Sequence, residues 1–206
     1  MASLRQVLGA HAPLLLIDAA SARIQAGWWE PGGEPRWADS EAEAGIGIFR
    51  CLAALGADPA RAGGFAFCSG PGSILGIRTA AMALRAWRSG APTPAFGYSS
   101  LALAAQGAPA TAALIADARR DRWHLLLPGS PLRRVAAAEL TGELVTPAGF
   151  RHWSPLPAGT GTVPYDLPAL WARAIDADLL SSTEEPDAFL HAEPEYALWK
   201  AQPHHG

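Results

Sequence analysis

The sequence predicts an α/β protein in which mixed sheets are flanked by helices. Short apolar runs of strand length, such as Leu14–Ile17 and Phe65–Cys68, alternate with longer segments whose apolar residues follow helical spacing. Turns rich in glycine and proline separate these segments. With 206 residues, the chain is long enough for two small lobes that each bury a core.

The N-terminal region predicts three strands at the start of the first lobe. Leu14–Ile17 is an apolar run, Ile24–Trp28 alternates in strand fashion, and Glu34–Trp37 follows a glycine turn. A helix, a strand, a helix, a strand and a short helix follow. This is the element order of a ribonuclease H-like half of an actin-like fold, so we predict a two-lobed α/β protein of that class.

Two longer helices are predicted in the first lobe. Ser40 and Glu43 have the spacing of a capping box, which predicts a helix over residues 41–55. Ser73 offers a capping hydroxyl to a second helix over residues 74–88. These helices would cover one face of the first sheet.

The lobes are predicted to divide at a Gly-Ala-Pro turn. Residues 1–106 form the N-terminal ribonuclease H-like lobe, and residues 107–206 form a smaller C-terminal α/β lobe whose final segment can pack back on the first. In the second lobe, strands over residues 111–116 and 122–127 flank a turn, and Asp166 caps an amphipathic helix.

Composition and charge exclude several classes of protein. The formal net charge is −3, and no basic stripe is present, so broad affinity for nucleic acid is not expected. No apolar run approaches the ~20 residues of a membrane span, and residues 1–12 lack the apolar core of a signal peptide. We therefore expect a cytoplasmic protein that does not enter the membrane.

Cysteine and histidine spacing indicates neither a disulfide framework nor a metal site. Cys51 and Cys68 lack a Cys-x-x-Cys arrangement, and buried, reduced thiols are expected. The six histidines show no His-x-x-x-His or His-Glu-x-x-His spacing. No tightly bound metal is therefore expected.

A glycine turn lies between the predicted strand Phe65–Cys68 and the helix that follows. Five residues separate Gly70 from Gly76, where a Walker phosphate loop has four, and no lysine follows, which excludes such a loop. Leu75 stands where a dinucleotide fingerprint has its third glycine. The alternative is that the glycines allow the helix to pack closely on the sheet.

The same stretch carries a family resemblance. Gly70-Pro71-Gly72-Ser73-Ile74-Leu75-Gly76-Ile77-Arg78 resembles the Gly-Pro-Gly-Ser-Phe-Thr-Gly-Val/Leu-Arg signature of the TsaB (YeaZ-like) family, within the glycoprotease-like superfamily. Four further stretches resemble the family in the same order: Leu15–Asp18, Ser99–Ala104, Ile115–Arg120 and Pro194–Tyr196. The family's Thr-Ser after the first strand is Ala19-Ala20 here, so the chain resembles a diverged member.

The resemblance implies a role in tRNA threonylcarbamoyladenosine synthesis. A TsaB-like chain would be a non-catalytic scaffold and activator that binds a TsaD-like catalytic subunit, with a TsaE-like ATPase as a further partner. It would meet tRNA only indirectly and form a homodimer when alone. ATP or ADP with Mg²⁺ would bind weakly, and only at a partner interface.

The second predicted helix supplies a candidate partner-binding face. Gly76, Ala80, Ala83 and Trp87 recur at helical spacing and form a stripe of mainly small residues. Such a stripe lets another helix approach closely. We expect the partner subunit, or a second copy of the chain, to dock there.

Motif residues that could face a nucleotide form a second candidate site. Asp18 and Asp117 end the predicted first strand of each lobe, where two carboxylates could hold hydrated Mg²⁺. The other members of this set are Gly70, Gly72, Ser73 and Arg78. A strand-end aspartate that caps a turn is an equally ordinary arrangement. The functional alternative is a stand-alone actin-like small-molecule kinase or acyl-phosphate enzyme.

A basic and aromatic cluster lies in the predicted turn of the second lobe. Arg119, Arg120 and Arg122 precede Trp123. These side chains could contact tRNA phosphates. The alternative is a solvated hairpin with Trp123 in the core. Trp28 and Trp171 are likewise predicted to face inward.

Overall fold

Two mixed β-sheets form the framework of the protein, seen in a computed structural model that describes residues 1–189. The helices and strands, in chain order, are α1 (Leu4–His11), β1 (Leu14–Asp18), β2 (Ile24–Trp29), β3 (Arg36–Ser40), α2 (Ala44–Leu55), β4 (Gly64–Gly70), α3 (Ile74–Arg88), β5 (Ala95–Ser99), α4 (Ser100–Ala104), β6 (Ala113–Asp117), β7 (Arg122–Leu126), β8 (Arg133–Ala136), β9 (Leu144–Pro147), β10 (Gly161–Val163), α5 (Leu167–Arg173) and β11 (Ser181–Thr183).

The first sheet has the strand order β11-β5-β4-β1-β2-β3. Strand β1 pairs parallel with β4 and antiparallel with β2, which makes the sheet mixed. The second sheet has the order β10-β9-β6-β7-β8 and is mixed in the same way, with β6 parallel to β9 and antiparallel to β7. The predicted fold class, two-lobed α/β with helices beside mixed sheets, is confirmed.

Three groups of buried side chains hold the sheets and helices together. One lies between the first sheet and helices α2 and α3 and includes Phe65 and Leu84. A second, with Leu16, Leu114 and Trp171, joins the two sheets through the elements between them. The third lies on the other face of the second sheet around Trp123. The lobes therefore share a core, and apolar packing holds them together.

The three tryptophans predicted to face inward are all buried. Trp28, Trp123 and Trp171 are each 1% exposed. Trp123 is thus a core residue of the second sheet, while Arg119 and Arg120 of the same cluster are exposed.

Helix α2 begins later than its capping signal predicts. The Ser40 hydroxyl accepts a hydrogen bond from Ala42 N at the end of β3, and Glu43 occupies the cap position without a side-chain bond. The helix therefore starts at Ala44. Strand β3 extends to Ser40, beyond its predicted end, because Ser40 pairs with Ile24 of β2.

Four of the helices and strands were not predicted, namely α1, β8, β10 and β11. Helix α1 has a capping box in which Ser3 and Gln6 bond each other's backbone, and it buries Leu4 and Val7. Strand β11 lies in a region whose composition predicts an acidic linker, yet it pairs antiparallel with β5 of the first sheet. One edge of the first sheet is therefore formed by a segment from beyond residue 107.

The chain after β11 forms a strap along α3. Arg88 donates a hydrogen bond to Glu184 O at 2.7 Å, and Arg85 donates one to Pro186 O at 2.7 Å. Phe189 N then donates to Ser69 O at the end of β4. The predicted segment His191–Trp199 and the family resemblance at residues 194–196 lie outside the described residues.

None of the helices in residues 1–189 combines the length and the apolar character needed to cross a bilayer.

Gly76 provides a test of the packing between α3 and β1. A Cβ on Gly76 would lie 2.1 Å from the Ala19 carbonyl oxygen, so Gly76→Ala is expected to destabilise the fold by about 1–3 kcal/mol. Inside a helix the same change normally stabilises by up to about 1 kcal/mol. Gly45 of α2 is the matched control, because a Cβ there meets nothing within 4 Å. Chemical denaturation should give opposite signs for the two variants, and equal signs would contradict this account.

Candidate functional site

The glycine turn after β4 packs against the chain that follows β1. Gly70 and Gly72 have φ values of 122° and 150°, which disfavour residues with a side chain. A Cβ on Gly72 would lie 2.5 Å from Ala20 O, and Ser73 N donates a hydrogen bond to that same oxygen at 2.7 Å. The geometry of the turn therefore supports the interpretation that its glycines allow close packing of the chain around the start of α3.

Ser73 has the predicted capping role. Its hydroxyl accepts a hydrogen bond from Gly76 N at 3.3 Å at the start of α3. Arg78, one turn further along, faces away from the glycine turn toward the strap, with its Nε 3.9 Å from a carboxylate oxygen of Asp187. Both side chains are about half exposed, so this ion pair contributes little stability.

Asp18 is fully buried at the end of β1, and both oxygens of its carboxylate accept hydrogen bonds. Tyr98 and Tyr165 each donate a hydroxyl hydrogen bond to Oδ2 at 2.7 Å, and Ala20 N donates to Oδ1 at 2.8 Å. Tyr98 belongs to the first sheet, whereas Tyr165 precedes α5. The carboxylate thus joins segments from the two halves of the chain.

Burial raises the pKa of Asp18 above its ordinary value, although the hydrogen bonds from Tyr98, Tyr165 and Ala20 lower it. Burial likewise raises the pKa values of both tyrosines well above their usual range. Cys68 lies beside this group, and burial raises the pKa of its thiol as well. The tyrosines therefore remain neutral donors, and Cys68 is the buried thiol that the sequence predicts.

Asp117 is the partly buried carboxylate at the end of β6. Its Oδ1 accepts a hydrogen bond from Arg119 N, and its Oδ2 accepts from Trp153 N at 2.6 Å and Ser154 N at 2.7 Å. Burial would raise the pKa of Asp117, but these backbone donors outweigh it and hold the pKa below its ordinary value. Asp117 therefore joins the β6–β7 turn to residues 153–154.

Neither aspartate is arranged to hold Mg²⁺. Mg²⁺ requires carboxylate oxygens that are open to the ion and its water shell. The oxygens of Asp18 are enclosed by three donors, and those of Asp117 accept three backbone N–H groups. Within residues 1–189, no group of three or more His, Cys, Asp or Glu side chains is placed to bind a metal ion.

A cleft of about 660 Å³ lies between the lobes. One wall contains the glycine turn, with Gly70, Gly72 and Ser73, and the first residues of α3. The opposite wall comes from the second lobe and includes Asp117 and four arginines, Arg119, Arg120, Arg134 and Arg151. The structure thus brings together the predicted residues Gly70, Gly72, Ser73 and Asp117, whereas Asp18 and Arg78 are not part of the lining.

Two of the four predicted partner-binding residues are interior residues. Gly76 packs against Ala19 O, and Ala80 is 1% exposed in the core between α3, α2 and the sheet. For these two the prediction is corrected, because the close approach that small residues allow is made within this chain. Ala83 and Trp87 are partly exposed, and a partner contact there stays a prediction.

Other side chains give α2 and α3 an apolar surface. Ile46 and Phe49 on α2 are 53% and 57% exposed, and Leu75 and Met82 on α3 are 78% and 60% exposed. Phe49 also touches the Trp87 ring edge-on, which joins the two helices at the surface. Exposed large apolar side chains on neighbouring helices are typical of an interaction surface.

The fold and cleft define a two-lobed, actin-like α/β protein. The chain is similar to YeaZ from Pseudomonas aeruginosa, with a TM-score of 0.57 and 18% identity over 77% of this chain and 90% of that one. It is also similar to a protein with similarity to peptidase YeaZ from Pseudomonas aeruginosa, with a TM-score of 0.55 and 19% identity over 89% of this chain and 98% of that one.

At these identities the structural likeness establishes the fold, and it agrees with the sequence resemblance to a diverged TsaB-like chain. No protein-family model matches the sequence, and no curated protein matches it.

Sequence reasoning missed several residues at the site. Tyr98 and Tyr165 carry no motif and are identified only by their contact with Asp18. Arg134 and Arg151 are far in sequence from the Arg119–Arg120 turn, yet they line the same cleft. An arginine on an exposed strand or loop gives no signal by itself, since most such residues are simply solvated.

The buried carboxylate predicts an unusual dependence of stability on pH. Because the pKa of Asp18 is raised from 3.8, the folded protein holds this proton more tightly than the unfolded chain. The stability that this tighter proton binding contributes is fully present below pH 3.8. It is lost as the pH rises from 3.8 through the raised pKa of Asp18 in the folded protein. Asp18→Asn should remove this slope, so that the stability of the variant relative to wild type increases with pH.

Thermal or urea denaturation across the acidic range measures this difference. Asp178→Asn is the control, because Asp178 is exposed. A constant difference between Asp18→Asn and wild type at every pH would show that Asp18 does not titrate as its burial requires.

Proposed function

We propose that this protein is a non-catalytic scaffold and activator subunit in tRNA threonylcarbamoyladenosine synthesis, and that it binds a TsaD-like catalytic subunit. The observation that carries the proposal is the exposed apolar surface of α2 and α3, formed by Ile46, Phe49, Leu75 and Met82. The YeaZ-like fold and the Gly70–Arg78 signature support the choice of pathway.

The carboxylates favour a scaffold over the alternative kinase or acyl-phosphate enzyme. Such an enzyme would use Asp18 and Asp117 at its reacting centre. Asp18 is instead 0% exposed, and Asp117 holds three backbone N–H groups. Both therefore act as structural acceptors in this chain.

The remaining parts of the proposal follow from the identity of the proposed partner, a TsaD-like catalytic subunit. Transfer chemistry belongs to the TsaD-like subunit, and tRNA meets this chain only through the complex. A TsaE-like ATPase is a further partner, and ATP or ADP with Mg²⁺ binds weakly at a partner interface. The cytoplasm is the expected location because tRNA modification takes place there.

Met82 gives a direct test of partner binding. Met82→Glu is expected to weaken binding to the cognate TsaD-like protein about tenfold or more, because a charge would have to be buried in an apolar contact. Reconstitution should then yield modified tRNA only when both proteins are present, and much less with this variant. Surface plasmon resonance and nucleoside analysis of the tRNA measure the two effects.

The matched control for Met82→Glu is Leu156→Glu. Leu156 is 40% exposed and lies in the loop before β10, away from α2 and α3. Undiminished binding by Met82→Glu would contradict the docking surface. If Asp117→Ala abolished activity while partner binding survived and the fold remained intact, the chain would be doing chemistry and the scaffold proposal would be wrong.

The isolated protein is expected to be at least partly dimeric, because an apolar surface prepared for a partner self-associates when the partner is missing. Multi-angle light scattering should show a dimer that Leu75→Glu and Met82→Glu shift toward monomer. Ala80→Arg is not a suitable test, because Ala80 is buried and the change would disrupt the core. A monomeric wild-type protein at high concentration would contradict this prediction.

A further inference from the structure

The apolar surface of α2 and α3 continues past the helices toward the second lobe. We propose that the TsaD-like partner also binds Trp153, so that one partner protein contacts both lobes at once. This second contact rests on the proposed function, because the same partner makes it. The exposed side chains that carry it are Ile74, Leu75, Trp153 and Phe189, which are called the apolar rim below.

Leu75 belongs both to the helix surface and to the edge of the cleft between the lobes. It is 78% exposed and lies seven residues before Met82, so the two side chains share one face of α3. Leu75 also lines the cleft, together with its neighbour Ile74, which is 41% exposed. A partner that covers Leu75 and Met82 therefore reaches the edge of the cleft.

Trp153 lines the same cleft from the second lobe. Its side chain is 65% exposed, although tryptophan usually buries most of its area. Phe189, at the end of the strap, also lines the cleft and is 46% exposed. The apolar rim therefore leads from Leu75 on α3 to Trp153. Large apolar side chains that are exposed close to one another are typical of an interaction surface.

Trp153 is held in place by contacts within this chain. Asp117 Oδ2 accepts hydrogen bonds from the N–H groups of Trp153 and Ser154, at 2.6 Å and 2.7 Å. The Arg119 guanidinium lies 4.9 Å from the centre of the Trp153 ring, within the range of a cation–π interaction. Arg119 N in turn donates to Asp117 Oδ1. An aromatic side chain positioned in this way loses little conformational freedom when a partner binds.

The charges around Trp153 indicate the chemistry of the partner segment that binds it. Five exposed arginines lie on or near the β6–β7 turn, namely Arg119, Arg120, Arg122, Arg134 and Arg151. They outnumber the two aspartates of this turn, Asp117 and Asp121. None of the five forms an ion pair with a carboxylate of residues 1–189. The complementary segment therefore has an apolar side chain for Trp153 with aspartate or glutamate beside it.

Contact with both lobes strengthens binding beyond what the helix surface provides. Once the partner lies on α2 and α3, Trp153 meets it within the same complex and therefore at a high effective concentration. The binding energy of a protein interface is concentrated in a few residues, among which tryptophan and arginine are enriched. Trp153, with the arginines around it, has the composition of such a group.

Substitution of Trp153 tests the second contact. Trp153→Ala is expected to weaken binding of the full chain to the cognate TsaD-like protein about tenfold, mainly through faster dissociation. Leu156→Ala is the matched control, because Leu156 is 40% exposed in the same loop but does not line the cleft. Surface plasmon resonance measures both variants, and circular dichroism checks that each is folded.

Charge reversal tests the acidic character of the partner segment. Arg120→Glu is expected to weaken binding about threefold or more and to reduce its dependence on salt, since it removes an attraction that salt screens. Arg133→Glu is the matched control, because Arg133 is exposed on β8 but does not line the cleft. An equal loss in the two variants would contradict an acidic segment at this place.

Photo-crosslinking shows directly what covers Trp153. Benzoylphenylalanine at position 153 is expected to link the chain to the TsaD-like protein, whereas the same group at position 156 is expected to give little of this product. Crosslinks from position 153 that join two copies of this chain, or that stay within one chain, would overturn the inference when the partner is present in excess.

The two proposals can fail separately. If Met82→Glu abolishes partner binding while Trp153→Ala binds as tightly as Leu156→Ala, the helix surface is the docking site and the second contact is wrong. If the unmutated chain does not bind the TsaD-like protein at all, the proposed function fails and the second contact fails with it. A loss in Trp153→Ala that is matched by a crosslink to the partner supports the second contact.

Discussion

The buried carboxylate of Asp18 is the interaction on which the arrangement of the two lobes depends. It lies at the end of the central strand β1 and receives hydroxyl groups from Tyr98 and Tyr165. A buried carboxylate is costly unless donors surround it, so these contacts must form together or not at all. The apolar core between the sheets provides the driving force for packing the lobes together. Asp18 selects one relative position of the segments that meet there.

Asp117 occupies the related position in the second lobe, yet its environment differs. It is only partly buried, its partners are backbone N–H groups, and its pKa is lowered, whereas that of Asp18 is raised. The two strand-end aspartates, which look alike in the sequence, therefore have different tasks. Asp18 joins the interior of the two halves, and Asp117 shapes one wall of the cleft.

Much of the fold could be predicted from the sequence, because many of its strands and helices are signalled by residues that lie close together in the chain. The apolar run of β1, the capping hydroxyl of Ser73 and the inward tryptophans depend on residues close in sequence or on burial alone. Strand β11 could not be predicted, because its sequence, Ser181–Thr183, lacks an apolar pattern. Its extended conformation is stabilised by its pairing with β5.

The candidate site was predictable only in part, because some of its contacts join residues that are far apart in the sequence. Gly70, Gly72 and Ser73 belong to one motif, but Tyr165 is 147 positions away from the carboxylate that it contacts. Gly76 and Ala80 were predicted to receive a partner helix, but their neighbours lie within the same chain. Spacing along a helix shows which residues share a face and does not show what that face meets.

The strap along α3 has a consequence for how this protein can change during evolution. Arg85 and Arg88 hold it by donating to the main-chain oxygens of Pro186 and Glu184, which every amino acid provides. Substitutions at those two positions leave both acceptors in place, whereas an insertion or deletion between them alters their spacing. The strap is therefore constrained in length far more than in composition.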